Sequence, residues 1–158
     1  MKYFLTCCVV ILLTIDLFPD GPDAARTIYI FTKDEDVAAF RTMGKILNSS
    51  GYDLEDSEEA LMVITTEIMN KDYGTFNLDK IALRLRAEID MRDSITIIKL
   101  SGSYLEKGMI NQALAESYFD QHSIAIAHCS ASSPAGETAW NYMMGVAQKY
   151  KNGKILVQ

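Results

Sequence analysis

From Lys80 to Met91 apolar and polar residues alternate almost without a break. Ile81, Leu83, Leu85, Ala87, Ile89 and Met91 fall on one side and Lys80, Arg84, Arg86, Glu88 and Asp90 on the other. A period of two belongs to an extended chain with one dry and one wet face, so this stretch is predicted to be a long strand. Arg92-Asp93-Ser94 breaks the pattern before a second extended run, Ile95 to Tyr104. So short a connection requires the two strands to be antiparallel. Thr27 to Phe31, rich in β-branched and aromatic residues, predicts a first strand. Leu61 to Met69 predicts another, preceded by an acidic turn from Asp53 to Glu59. Ser123 to His128 and Ile155 to Val157 are further strand candidates.

Three segments have helical spacing instead. Val37, Phe40, Met43 and Leu47 make one apolar stripe, with Thr32 and Glu35 at capping-box spacing before it and Gly51 placed to end it. Met109 to Phe119 carries a weaker helical pattern. In the last helix Ser133 precedes Pro134 as an N-cap, Trp140, Met143, Met144, Ala147 and Tyr150 form the stripe, and Asn152-Gly153 closes it. The order strand, helix, antiparallel strands, helix predicts an α+β domain. We expect an antiparallel sheet of about four to six strands with two or three helices packed on one face.

The N-terminus departs from this pattern. Lys2 precedes an uncharged, mostly apolar run from Tyr3 to Ile15, ended by Asp16 and followed by Pro19, Gly21 and Pro22. The run has the size of a signal-peptide core and falls short of the roughly 20 residues that span a bilayer. Residues 1–25 therefore read as a signal peptide cut after Ala25, with an uncleaved anchor as the alternative because Asp23 departs from the small-x-small rule. Residues 26–158 read as one domain. Cys7 and Cys8 do not make a lipobox, since the apolar run follows them. The net charge is −6; loss of Lys2, Asp16, Asp20 and Asp23 with the leader leaves it at −4. An acidic balance with dispersed Lys and Arg excludes a nucleic-acid partner. These features place the domain in the periplasm or outside the cell.

Candidate chemistry is sparse. His122, His128 and Cys129 are the one Cys/His grouping after the leader. On a strand at ~3.3 Å per residue the two histidines would stand about 20 Å apart, too far to share a metal or a proton. The acids from Asp53 to Glu59 lack the Asp/Asn spacing and central Gly of a calcium loop, and Gly102, Gly108 and Gly136 stand outside any phosphate-binding pattern. No metal and no cofactor are expected. Arg84 and Arg86, on one strand face with Lys80 nearby, are the candidates for binding an anion or a partner, together with Tyr104.

The helix leading to Leu47-Asn48-Ser49-Ser50-Gly51-Tyr52, the strand with Ile64-Thr65-Thr66, and Ser132-Ser133-Pro134-Ala135-Gly136-Glu137-Thr138-Ala139-Trp140 together resemble small envelope domains of Gram-negative bacteria. The layout is similar to the helix-and-sheet domains of lipoproteins that accompany outer-membrane assembly machinery. That resemblance implies an accessory role and brings no catalytic residue. The expected function is a non-catalytic binding domain that engages a protein or envelope component, touching the membrane only through an uncleaved N-terminal segment. A small-ligand carrier, or a small hydrolase with Cys129 as nucleophile and His122 or His128 as base, are the alternatives.

Overall fold

The long alternation becomes the centre of the molecule. In the computed structural model, which describes residues 25–73, 79–106, 112–128 and 133–158, β5 (Asp79–Arg92) and β6 (Ile95–Glu106) form a hairpin paired from Ile81↔Glu106 to Arg92↔Ile95. Asp93 and Ser94 take φ of 49° and 66°. Two consecutive left-handed residues are what the tightest hairpin loop needs to match the twist of its strands. Around this pair lie β1 (Ile28–Thr32), β2 (Leu54–Glu58), β3 (Val63–Thr66), β4 (Met69–Tyr73), β7 (Ile124–Ala125) and β8 (Lys154–Val157). The order across the sheet is β2-β3-β5-β6-β1-β8, all antiparallel.

The sheet, with eight strands among the described residues, is larger than the expected four to six. Hairpin length is the reason. β5 and β6 are long enough for short strands to line up end to end beside them. β3 and β4 share the free side of β5, and β1 and β7 share that of β6. The stretch from Leu61 to Met69 is thus not one strand. It is interrupted at Glu67-Ile68, and there the Thr66 hydroxyl accepts the Leu85 N–H at 3.0 Å, bonding a buried donor that the interrupted ladder leaves over. The acidic segment read as a turn is β2 itself, a border strand with four of its five residues exposed. Strand β7 covers only two residues of the run from Ser123 to His128.

Helices α1 (Asp36–Ser49) and α3 (Pro134–Gln148) pack on the dry face. There Ile28 and Ile30 of β1, Ile98 and Leu100 of β6, and Ile81, Leu83, Leu85, Ala87 and Ile89 of β5 join Phe40, Met43, Leu47, Trp140, Met143 and Tyr150 in one core. Met91, on the same parity, lies beyond this layer and is half-exposed. The capping box does not form. Thr32 ends β1, its hydroxyl takes the Asp34 N–H at 3.2 Å, and Glu35 is an N-cap without a side-chain bond. Ser133 caps α3 as expected, accepting from Gly136 N at 3.2 Å with Pro134 following. Helix α1 ends in the two-bond glycine motif: Tyr52 N reaches Leu47 O, Gly51 N reaches Asn48 O, and Gly51 has φ 76°.

The remaining helix, α2 (Gln112–His122), corrects the one-face expectation for the helical layer. Its Phe119 is buried, and Phe119 and Asp120 both meet Arg84, whose parity on β5 points away from the core. Helix α2 therefore covers part of the opposite face, where its own Phe119 is buried. The expected signal peptide lies outside the described residues except for Ala25, whose carbonyl accepts the His128 N–H at 2.6 Å.

Candidate functional site

Beyond the reach of α2 no element among the described residues covers the outer sheet face, and cross-strand register arranges it in rows. One row runs Leu156, Tyr29, Lys99, Glu88, Val63 across β8, β1, β6, β5 and β3. The next runs Lys154, Phe31, Ile97, Asp90. Residues directly opposite in such rows are side-chain neighbours. The face is thus apolar at Leu156, Tyr29, Phe31 and Ile97, with Lys154 at its β8 border and charges on its β5 side. Tyr29 and Phe31 stack with centroids 6.4 Å apart and planes at 26°. A groove of about 420 Å³ is lined by Tyr29, Phe31, Ile97, Asp90, Arg92 and Lys99 among others.

The charges beside the groove pair with one another. Lys99 Nζ lies 3.5 Å from Glu88 Oε2, Arg86 Nε 3.0 Å from Glu88 Oε1, and Arg92 Nε 2.7 Å from Asp90 Oδ2. All are substantially exposed, and exposed pairs contribute at most about 1 kcal/mol, so a partner can exchange them for its own charges at little cost.

The three residues singled out from sequence are not brought together here. Arg86 lies on the open face, half-exposed and paired with Glu88. The Arg84 side chain is only 18% exposed. Its guanidinium contacts Asp120 at 3.0 Å and Glu55 at 3.3 Å, rests over the Phe119 ring at 5.5 Å, and keeps a buried Nε with no hydrogen-bond partner among the described residues. It clamps α2 and β2 to β5. Tyr104 is a core residue, 7% exposed. Lys80 sits in the β5 ladder opposite Asp72. His122 stacks on Tyr118 and its Nδ1 is 3.0 Å from Tyr118 O, whereas His128 meets the edge of Trp140. Cys129 lies outside the described residues.

Tyr29, Phe31, Ile97 and Leu156 were not singled out from sequence. Thr27–Phe31 and Ile95–Leu100 are apolar or aromatic at both parities. Period two therefore does not tell which side is dry. Only charges at alternate positions give that signal, and β5 carries them.

Two tyrosines are set apart by their surroundings. Tyr52 is 2% exposed, its hydroxyl has no hydrogen-bond partner among the described residues, and Lys71 Nζ lies over its ring at 5.0 Å and over that of Tyr142 at 5.6 Å. Burial, with Tyr142 adding to it, pushes the Tyr52 phenol up to about 12. With this phenol raised in the folded state above its ordinary value near 10, stability is unaffected by its titration below about pH 10 and falls as pH rises from there towards 12, where the unfolded chain ionises first. Tyr52→Phe removes an unsatisfied buried polar group. It is expected to stabilise the protein by about 1 kcal/mol at neutral pH and to flatten the alkaline decline, as read by urea unfolding at the two pH values. Tyr150 donates to Asp34 Oδ2 at 2.7 Å, and burial together with that carboxylate raises its phenol further.

Comparison with protein-family models and with curated proteins finds no match to this chain.

Proposed function

We propose that this chain is a non-catalytic binding domain of the periplasm or the secreted space, and that its open sheet face is the surface that engages a partner protein. The observation that carries this reading is the face itself, a stacked Tyr29–Phe31 pair beside Ile97 that passes directly into Lys99, Glu88, Asp90 and Arg92. Rigid aromatic side chains next to exchangeable charges are the composition from which protein interfaces draw affinity and specificity. The matching partner presents an apolar side chain to Phe31 and Ile97 and mixed charges to the row beside them. The face lies on paired strands, so it is held in shape before binding, which keeps the ordering cost of association low.

The test is a photo-crosslinking amino acid placed at Phe31 in the full chain, expressed in a Gram-negative cell, with Asn141 on α3 as the control position. We expect a discrete protein adduct from position 31 that is absent from position 141 and lost with Ile97→Glu, while thermal melting of Ile97→Glu stays within a few degrees of the parent. Equal labelling at both positions, or none at 31, overturns the reading. The same preparation reports location. A soluble envelope species without its leader fits a free domain, and recovery in the cytoplasm refutes the assignment.

A further inference from the structure

The two borders of the sheet carry opposite charge. Residues 149–158 hold Lys149, Lys151 and Lys154 and no Asp or Glu, within a chain of net charge −6. Strand β8 forms that border, with Lys154 and Lys151 exposed and in no ion pair among the described residues. The strand at the other end of the main strand order is β2, Leu54-Glu55-Asp56-Ser57-Glu58. Glu55 is spent on Arg84, but Asp56 and Glu58 are exposed and likewise in no ion pair among the described residues.

The hydrogen bonding of β8 shows which of its groups are free. Gln158 N donates to Thr27 O and Thr27 N to Gln158 O, each at 3.0 Å, so these two residues form a doubly bonded pair. Antiparallel bonding alternates along the ladder, and the amides of Leu156 and Lys154 therefore also turn towards β1. The N–H and C=O groups of Ile155 and Val157 turn outward, where no strand lies among the described residues. Leu156 is 49% and Val157 39% exposed beside them. Charged borders normally keep sheets from adding edge to edge, because like meets like. Here two β8 borders repel, two β2 borders repel, and β8 attracts β2.

We propose that β8 of one molecule receives β2 of a second copy, so that the sheet continues head to tail from one molecule to the next, with Lys151 and Lys154 against Asp56 and Glu58. The contact is heterologous and leaves one free border of each kind on every pair, so the assembly grows past two unless it closes into a ring. It uses the borders of the sheet and leaves Tyr29, Phe31 and Ile97 of the open face free.

The test is sedimentation velocity on the full chain as recovered from the expressing cell. At low ionic strength, where charges are felt over about 30 Å, species larger than a dimer are expected to grow with concentration. Near 1 M salt, where the range is about 3 Å, they are expected to fall back to monomer. Val157→Pro removes an outward N–H that β1 does not use, and should give a monomer whose circular dichroism and melting match the parent. The double variants Lys151→Glu with Lys154→Glu, and Asp56→Lys with Glu58→Lys, should each be monomeric alone and associate when mixed, because each then offers the charge that the other lost. A monomer under all conditions, association unchanged by Val157→Pro, a species that stops at two, or mixed variants that stay apart would each overturn the proposal.

Discussion

Arg84→Glu is expected to cost the fold about 3 kcal/mol and to lower Tm by roughly 10 °C in a thermal melt. The substitution sets a third carboxylate beside Glu55 and Asp120, which now lie 3.3 and 3.0 Å from the guanidinium. Removing one member of a buried ion pair costs about 3–5 kcal/mol, and the lower end applies because Asp120 and Glu55 keep part of their hydration. Two controls separate charge from packing. Arg84→Met keeps a long side chain over Phe119 and leaves carboxylates that can turn to water, for an expected loss of about 1 kcal/mol. Arg86→Glu, two residues along the same face, is expected to change stability by less than about 0.5 kcal/mol. Equal effects at 84 and 86 would show that α2 does not depend on the clamp.

The second large effect is expected at Gly102, where an ordinarily mild substitution changes sign. Gly within a strand usually costs about 0.5–1 kcal/mol relative to Ala, so Gly→Ala there normally helps. At position 102 an added Cβ would lie 2.7 Å from the Arg84 carbonyl oxygen, 2.8 Å from Leu85 Cδ2 and 2.9 Å from Ile126 Cδ1. The first of these is backbone in the central hairpin and cannot swing aside. Gly102 also accepts the Ile126 N–H at 2.9 Å, at the point where the neighbour of β6 changes from β1 to β7. Gly102→Ala should therefore lower stability by about 3 kcal/mol, the upper end of what overpacking costs, with the urea midpoint falling and the slope unchanged. An unchanged midpoint would mean that β7 and Ile126 move away freely and contribute little to the core.

The elements most legible in the sequence are those whose one-dimensional pattern matches a single buried face. The β5–β6 hairpin shows itself through alternating charges, and α1 and α3 show themselves through apolar stripes bounded by Gly51 and by Ser133-Pro134. Strand β2 hides because a border strand with four exposed residues has no dry side to alternate with, so its acids read as a turn. The break between β3 and β4 hides because the Thr66 hydroxyl, not an unusual residue, repairs it. Arg84 and Arg86 share a parity and look equivalent. What separates them is a helix more than twenty residues further along, whose weak amphipathic pattern gives no sign of which face it will cover. Tyr104, a binding candidate at the end of the second extended run, carries no sign in the sequence that the core extends past Gly102 to enclose it.

The place of β1 between β6 and β8 also sets an order of events during synthesis. Strand β1 has neither of its partner strands until Thr96–Leu100 follows it, and its other side stays open until Lys154–Val157 is complete. Tyr29, Phe31, Ile28 and Ile30 must therefore be kept from other chains until Lys154–Val157 has been made, whereas β5 and β6 pair with each other as soon as their two-residue loop has formed. The β-branched, aromatic strand that finishes with Ile28 and Ile30 in the core and Tyr29 and Phe31 on the outer face is, until β8 arrives, the part of the growing chain with the most to gain from a chaperone.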